Sequence, residues 1–249
     1  MNLNARQQQM LDQIQAENEL KISDLKERFQ VTEMTIRRDL EKLEKLGDIR
    51  RTFGGAVWIG KDITLQVRSG VLMDEKIRIG KQAASFVQPG ESIFIDSGST
   101  TLQIARNLTH IPDIIVVTNA LNVATELLNA NVQVILTGGI LRQATASMVG
   151  PITTETISRM GFDRVFLGAT GYTPQHGFSN SNLYEVEIKK LAIKQARESY
   201  IVLDHTKLGT NQLFIFAPET EIQHVITDKA ADPNLLAGLK QSGVNVMMV

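Results

Sequence analysis

The chain contains no cysteine. A disulfide framework and thiolate chemistry are both excluded. It has no apolar run of about 18 residues, the length a helix needs to cross a bilayer. Its first residues, MNLNARQQQ, lack the apolar core of a signal peptide. A cytoplasmic location is therefore expected. Charge of one sign is not in surplus either, with 26 Lys and Arg against 27 Asp and Glu. Any affinity for nucleic acid must come from where charge is placed, not from a basic domain. His110, His176, His205 and His224 are scattered with no metal-ligand spacing. There is no Walker A loop and no GxGxxG. No metal and no cofactor are expected.

What is present is an ordinary globular composition, 43% hydrophobic and 21% charged over 249 residues. That length predicts one or two domains and allows a substantial core. The most informative stretch is VTEMTIRRDLEKLEKLG, residues 31–47. Thr32 is placed to cap a helix, and Gly47 to end it in a left-handed conformation. Ile36, Leu40 and Leu43 repeat at helical spacing and form one buried stripe. Met34, Thr35, Arg38, Lys42 and Lys45 fall on the opposite side, with Arg37 on a flank. Charged residues on an amphipathic helix are usually just solvated, so the arginine pair alone is a weak motif. Its neighbourhood strengthens it.

Residues 4–17 predict a first helix through Met10, Leu11 and Ile14. Lys21-Ile22-Ser23 reads as a short extended piece, with Ser23 capping a second helix built on Leu25 and Phe29. A tight turn at Gln30-Val31 leads into the helix above, which makes a helix-turn-helix. The second helix of such a unit enters the major groove by its N-terminal residues. Asp48–Thr52 then reads as a strand, and Gly54-Gly55 as a hairpin tip. The result is a wing, with Arg50 and Arg51 at its base within reach of phosphates. Trp58 is expected to pack rather than stack on a base.

The motifs TIRRDLEKLEKLG (35–47) and RRTFGGA (50–56) resemble the winged helix-turn-helix of DeoR-family bacterial transcription regulators. Phe53 stands where that family more often has histidine. The resemblance implies a double-stranded DNA operator as partner. The DNA-facing residues it implies are Ser23, Thr32, Thr35, Arg37, Arg38, Arg50, Arg51, Gly54 and Gly55.

Residues 57–75 lack a clean period and read as a connector. From Lys76 onward, apolar runs alternate with helical segments. The runs cover 92–96, 114–118, 132–137, 164–169, 199–204 and 224–228. The helical segments cover 75–87, 100–108, 121–130, 185–199 and 234–243. Near-continuous Val and Ile indicate strands buried on both faces. The expected fold class is α/β: an N-terminal winged helix-turn-helix followed by a larger, mostly parallel α/β domain. The expected division is 1–58 reader, 59–75 connector and 76–249 effector-binding domain. Ligands in such sheets bind at the carboxyl ends of strands. There the sequence places DSGSTT (96–101), Thr118-Asn119, Gly138-Gly139 with Arg142 beyond, and DHTK (204–207). A small-residue loop opening a helix suits a phosphate.

DSGSTT, VVTNA, ILTGG, FLGATG, LDHTKLG and VITD also resemble the DeoR-family sensor domain, itself similar to ribose-5-phosphate isomerase and the coenzyme A transferases. The resemblance implies a phosphorylated sugar effector. By it, Asp96, Gly98, Ser99, Thr100 and Thr101 hold the phosphate end, and Asn119, Gly138, Gly139, Asp204 and Lys207 line the rest. Glu185 is a weaker candidate for sugar hydroxyls, since an acid there also suits the helix macrodipole. The function implied is repression of a sugar-utilisation operon, relieved by the effector, in a homodimer or homotetramer. The alternative is a sugar-phosphate isomerase-like enzyme with a DNA-binding appendage. Against it, the chain reads Gly168-Ala169-Thr170-Gly171 where those isomerases carry Gly-Ala-Asp-Glu, so both acids are missing.

Overall fold

The computed structural model describes residues 3–17, 19–45, 49–52, 54–58 and 65–249. The chain divides into two compact units, Met1–Thr64 and Leu65–Val249. Gly47, Phe53 and the side chains of Arg50 and Trp58, all singled out in the sequence, lie outside what is described.

The first unit contains α1 (Ala5–Glu17), β1 (Glu19–Lys21), α2 (Ile22–Phe29), α3 (Glu33–Lys45), β2 (Ile49–Arg51) and β3 (Gly55–Trp58). Asn4 caps α1: its Oδ1 accepts from Gln7 N at 2.8 Å, and Gln7 Oε1 accepts from Asn4 N at 3.2 Å. The turn before α3 is made by Gln30, which adopts the left-handed region at φ 52°. Met10 and Ile14 of α1, Leu25 of α2 and Ile36, Leu40 and Leu43 of α3 are buried in one core with Leu20, Ile49 and Ala56. Each large apolar side chain among them contributes roughly 1.5–3 kcal/mol through burial.

The wing differs from the expected two-stranded ribbon. Its sheet has three antiparallel strands in the order β1-β3-β2, so the strand before α2 is part of it. Gly55 makes this possible. A Cβ there would lie 2.1 Å from the carbonyl oxygen of Leu20, whereas one on Gly54 would meet nothing within 4 Å. The expectation that Ser23 caps α2 is not met. β1 runs directly into α2, which starts at Ile22 with Lys21 at the cap position and no side-chain cap. Ile22 N donates instead to the carbonyl of Gly54 at 2.8 Å, so the wing satisfies a helix donor. Ser23 sits inside the first turn and its hydroxyl donates to Asp24 Oδ1.

The second unit opens with α4 (Leu65–Ser69) and α5 (Met73–Ala84), then β4 (Ser92–Ile95), α6 (Thr101–Ala105), β5 (Ile115–Thr118), α7 (Leu121–Glu126) and β6 (Gln133–Leu136). A hairpin, β7 (Ile140–Arg142) and β8 (Ser147–Val149), precedes α8 (Pro151–Ser158) and β9 (Phe162–Gly168). Next come β10 (Gly171–Thr173), β11 (Gly177–Asn180), α9 (Leu183–Lys194), β12 (Ala196–Val202) and β13 (Phe214–Ala217). The unit closes with β14 (His224–Thr227), α10 (Pro233–Gln241) and β15 (Asn245–Met248).

Seven strands form one parallel sheet in the order β15-β14-β12-β9-β4-β5-β6. Both faces are covered, which explains the continuous apolar runs. Ile93 and Ile95 join a core with Ile79, Ala83, Ile104 and Val123 from α5, α6 and α7. Phe94, between them, joins the opposite core with Ile157, Val186, Ile188 and Leu239 from α8, α9 and α10.

Two expectations are corrected. β15 and the small antiparallel strands have no counterpart among the six runs read from sequence. The helix read over 185–199 ends at Lys194, and its last residues open β12, paired with β9 from Ala196↔Phe162 onward. Arg197-Glu198 looks helical by composition, but pairing with β9 decides its conformation. Strand order reverses at β4: β5 and β6 lie to one side, and β9, β12, β14 and β15 to the other. The carboxyl ends of β4 and β9 therefore frame the topological switch point. No helix among the described residues is long and apolar enough to cross a membrane.

Candidate nucleic-acid interface and effector site

In the first unit α3 carries the polar face predicted for it. Thr32 Oγ1 accepts from Thr35 N at 3.3 Å and lies 2.9 Å from Thr35 Oγ1, so these two define the first turn. The two arginines differ. Arg37 is paired with Glu33 in its own helix at 2.7 Å, while exposed Arg38 has no ion pair or hydrogen bond among the described residues. Arg51 is also engaged, its N and Nε donating to the Glu44 carboxylate at 2.8 and 2.7 Å. That contact fixes the wing to α3 and neutralises the charge expected to meet phosphate. An open groove of about 620 Å³ is lined by Lys21, Ser23, Lys26, Gln30, Arg37 and Gly54, among others. The face is mixed in charge, as the sequence count implies.

A residue not predicted holds α3 in place. Asp39 is buried, and its oxygens accept from Arg6 Nε at 2.8 Å and Gln7 Nε2 at 2.7 Å. A carboxylate on the buried side of a helix is costly unless both oxygens are bonded, and here α1 supplies both donors.

In the second unit the carboxyl ends of β4 and β9 meet through Asp96. Its Oδ2 accepts from Gly168 N at 3.0 Å and from the ammonium of Lys189, which also donates to the carbonyl of Gly168 at 2.9 Å. Asp96 and Lys189 are 2% and 4% exposed, so this is an interior ion pair. Burial pushes the Asp96 carboxyl above its usual range, against the pull of Lys189 and the Gly168 N–H. Its other oxygen, Oδ1, is enclosed and has no hydrogen-bond partner among the described residues. An unbonded carboxylate oxygen repels an anion and can accept from a hydroxyl.

One turn before Lys189 on α9 lies Glu185, also buried. Asn182 caps this helix, its side chain accepting from Tyr184 N and Glu185 N. Glu185 Oε1 accepts from Thr145 at 2.7 Å, Arg142 at 3.1 Å and Ser147 at 3.2 Å, and Oε2 from Asn180 at 3.3 Å. Burial opposes its ionisation, but Lys189, Thr145, Arg142 and Arg68 outweigh it and hold the carboxyl below its usual range. With four protein donors in place, Glu185 ties α9 to the β7–β8 hairpin.

The loop after β4 has unused donors. Ser97, Gly98, Ser99 and Thr100 are buried, yet their four backbone N–H groups meet no acceptor among the described residues. The Ser99 and Thr100 hydroxyls likewise make no hydrogen bond among them, although Ser99 O accepts weakly from Gln103 at 3.5 Å. Buried, unpaired backbone donors are rare in folded proteins. Successive N–H groups of this kind form an anion-binding concavity. Thr101 is occupied elsewhere. Its hydroxyl donates to the Asp96 carbonyl at 3.0 Å and holds the loop closed.

Asn119, after β5, donates to the Met148 carbonyl at 3.1 Å, and its Oδ1 is enclosed without a partner among the described residues. Gly138 and Gly139 turn the chain after β6. Both have positive φ, and a Cβ on Gly139 would lie 2.2 Å from Thr153 Oγ1. Their evident role is close packing against α8, where Thr153 donates to the Gly138 carbonyl at 2.7 Å.

After β12, Asp204 caps the short turn 205–207 by accepting from Thr206 N. Lys207 is half-buried, with no ion pair or hydrogen bond among the described residues. Two cations near these residues were not anticipated from the sequence. Buried Lys76 donates to the carbonyls of Arg68 at 2.6 Å and Val71 at 2.7 Å. Burial pulls its ammonium down to about 8, with Lys207 and Arg68 adding to the effect and Asp204 opposing it. Arg68, on α4, feels the charges of Glu185 and Asp96 but forms an ion pair with neither.

Both halves of this arrangement match family models. The model described as DeoR-like helix-turn-helix domain covers residues 6–62. The model described as DeoR C terminal sensor domain covers residues 72–229. The chain belongs to the DeoR family. It is 33% identical to the uncharacterized HTH-type transcriptional regulator YulB of Bacillus subtilis, across 98% of this chain and 96% of that one. It is 32% identical to the HTH-type transcriptional regulator IolR of the same organism, across 90% and 91%. Among solved structures, ribose 5-phosphate isomerase A from Methanocaldococcus jannaschii is 15% identical over 55% of this chain and 54% of that chain, with a TM-score of 0.41. That likeness carries no statement about activity.

As a DeoR-family protein, the chain is a helix-turn-helix transcriptional regulator with a sensor domain. Of the residues the DeoR resemblance pointed to, the fold gathers Asp96, the 97–101 loop, Asn119, Asp204 and Lys207 on the carboxyl edge of the sheet. Lys189, Lys76, Arg68 and Asp39 were missed. Lys189 had a readable signal: with Glu185 it interrupts the buried stripe that Ile188 and Ala192 mark on α9. A charged pair at i, i+4 on the apolar side of a helix asks for buried partners.

Proposed function

We propose that this DeoR-family regulator is a cytoplasmic repressor of a sugar-utilisation operon, and that a phosphorylated sugar relieves the repression. The functional division we assign is a reader over 1–58, a connector over 59–75 and a sensor over 76–249. In the reader, Thr32, Thr35 and Arg38 meet the major groove, with Arg37 partly neutralised by Glu33. Arg50, Arg51, Gly54 and Gly55 belong to the flanking wing.

The observation that carries the sensor reading is the buried 97–100 loop with four unbonded N–H groups. These donors suit a phosphate, and the Ser99 and Thr100 hydroxyls add to them. The enclosed acceptors Asp96 Oδ1 and Asn119 Oδ1 suit sugar hydroxyls. Lys207 supplies charge with no carboxylate of its own to satisfy. Gly138 and Gly139 shape the neighbouring turn.

The ligand acts by differential affinity for DNA-competent and DNA-incompetent states of a homo-oligomer. Paired readers on such an oligomer meet repeated or palindromic half-sites. We read the chain as a non-enzyme, because Gly168-Ala169-Thr170-Gly171 offers no carboxylate at that strand end. A thermal-shift screen against phosphorylated and unphosphorylated sugars, followed by gel shift with the DNA upstream of its own gene, tests the proposal. Stabilisation by one phosphorylated sugar and release of DNA by the same compound are expected. Turnover of that sugar would replace the sensor reading with the enzymatic one.

A further inference from the structure

Arg68 of the second unit is half-buried, and two nitrogens of its guanidinium are enclosed with no bonded counter-group among the described residues. Its Nε and Nη2 are shut off from solvent and donate to nothing among the described residues. A buried lysine can shed its proton, but a guanidinium cannot. The nearby carboxylates of Asp96 and Glu185 act on it by charge alone and make no bond to it. Asp96 binds Lys189, and Glu185 binds Arg142, Thr145 and Ser147. An uncompensated interior charge is destabilising in itself.

The fold nevertheless fixes this residue in place. Lys76 Nζ holds the carbonyls on both sides of the α4–α5 corner, those of Arg68 and Val71. The corner closes through Leu72, which adopts φ 50°, a left-handed conformation unusual for a branched side chain. The start of α4 is tied as well, Leu65 N donating to the carbonyl of Ala144 at 2.8 Å in the β7–β8 hairpin. A guanidinium with unused donors on one edge, carried on a backbone held this way, matches an oxyanion.

We propose that Arg68 is an effector-binding residue, pairing with the phosphate of the sugar phosphate that the 97–100 loop cradles. This rests on the sensor reading above and adds to it a ligand from the connector. Lys76 is then a positioning residue, since it sets the backbone from which Arg68 reaches. Arg68 follows closely on Thr64, where the first unit ends. Effector occupancy is thereby felt in the stretch of chain that leads out of the DNA reader.

The test titrates the full-length protein and its Arg68→Met and Arg68→Lys variants with a panel of ribose 5-phosphate, glucose 6-phosphate, fructose 1-phosphate and their unphosphorylated parents. Calorimetry reads affinity, and thermal melting reads stability without ligand. Arg68→Met is expected to melt higher than wild type, because an enclosed unpaired charge is gone. Its affinity for the compound that wild type binds should fall about 30-fold, the scale of a lost charge-assisted hydrogen bond. Arg68→Lys should keep part of that affinity. A purely structural arginine predicts the opposite: lower melting and unchanged affinity. Equal affinity in Arg68→Met and wild type overturns the assignment and leaves the sensor reading standing. A wild-type protein that ignores the whole panel removes both. If Arg68→Met does not fold, amide exchange on wild type decides: slowing across residues 65–72 on ligand addition supports the assignment, and no change there overturns it.

Discussion

Asp96 and Lys189 stand 93 positions apart in sequence and form a buried ion pair where the strand order of the parallel sheet reverses. The pair joins the carboxyl ends of β4 and β9 to the middle of α9. It leaves one oxygen of Asp96 enclosed and unbonded. The residue that closes the sheet core at this point is thus also one that a ligand can use.

Removing Lys189 should therefore be far worse than removing the pair. Lys189→Met strands a buried carboxylate, and breaking such a pair costs about 3–5 kcal/mol. Asp96→Asn combined with Lys189→Met should recover much of that loss, because no charge is left inside. Urea unfolding of the single and double variants checks this. If the two losses simply add, the two side chains are not coupled.

The two arginines at the start of α3 should behave differently in DNA binding. Arg38→Ala should weaken operator binding by about 1–3 kcal/mol, as for a direct base or phosphate contact. Arg37→Ala should cost less, since Glu33 already offsets its charge. Glu33→Ala should tighten binding slightly. Anisotropy titrations at one fixed salt concentration separate them, and equal losses for the two arginines would remove the distinction.

The adjacent glycines of the wing make a sharper comparison. Gly55→Ala places a Cβ against the Leu20 carbonyl oxygen and must push β1 from β3, whereas Gly54→Ala points into open space. We expect Gly55→Ala to lower the melting temperature of the reader and Gly54→Ala to leave it near wild type. A melt that ranks them the other way contradicts the three-stranded wing.

Lys76 gives the effector site a pH dependence. Burial holds its ammonium at about 8, and the negative charge of a bound phosphate raises it. Binding then takes up a proton above that pH, so affinity falls as pH rises. Affinity for the phosphorylated ligand should decline from about pH 7.5 to about pH 9.5 in wild type and stay flat in Lys76→Met. Calorimetry in two buffers of different ionisation enthalpy reads the proton directly. A flat wild-type profile would falsify the coupling of Lys76 protonation to ligand binding.

The legible parts of this fold were those written in local pattern. Ile36, Leu40 and Leu43 announce the stripe of α3, and the Val and Ile runs announce strands covered on both faces. The DSGSTT loop is visible because small residues at a strand end are a local feature. The rest depends on closure over long separations. Nothing near Lys189 in the sequence names Asp96, and nothing near Arg6 names Asp39. Ser23 misled because a serine at the head of a helical stretch is a cap only if the preceding chain leaves room for one. Here β1 runs straight into the helix, and a wing carbonyl does the capping. Arg68 was hidden in a stretch without period, where enclosure and missing partners are visible only in three dimensions.

The central claim is that one chain holds DNA and releases it on binding a phosphorylated sugar. A gel shift with the DNA upstream of its own gene, at low ionic strength, tests it most directly when run with and without the sugar phosphate identified by thermal shift. The account predicts a complex that forms alone, dissociates with that compound, and persists with the unphosphorylated parent sugar. No complex under any of these conditions, or a complex indifferent to every phosphorylated sugar, would contradict it.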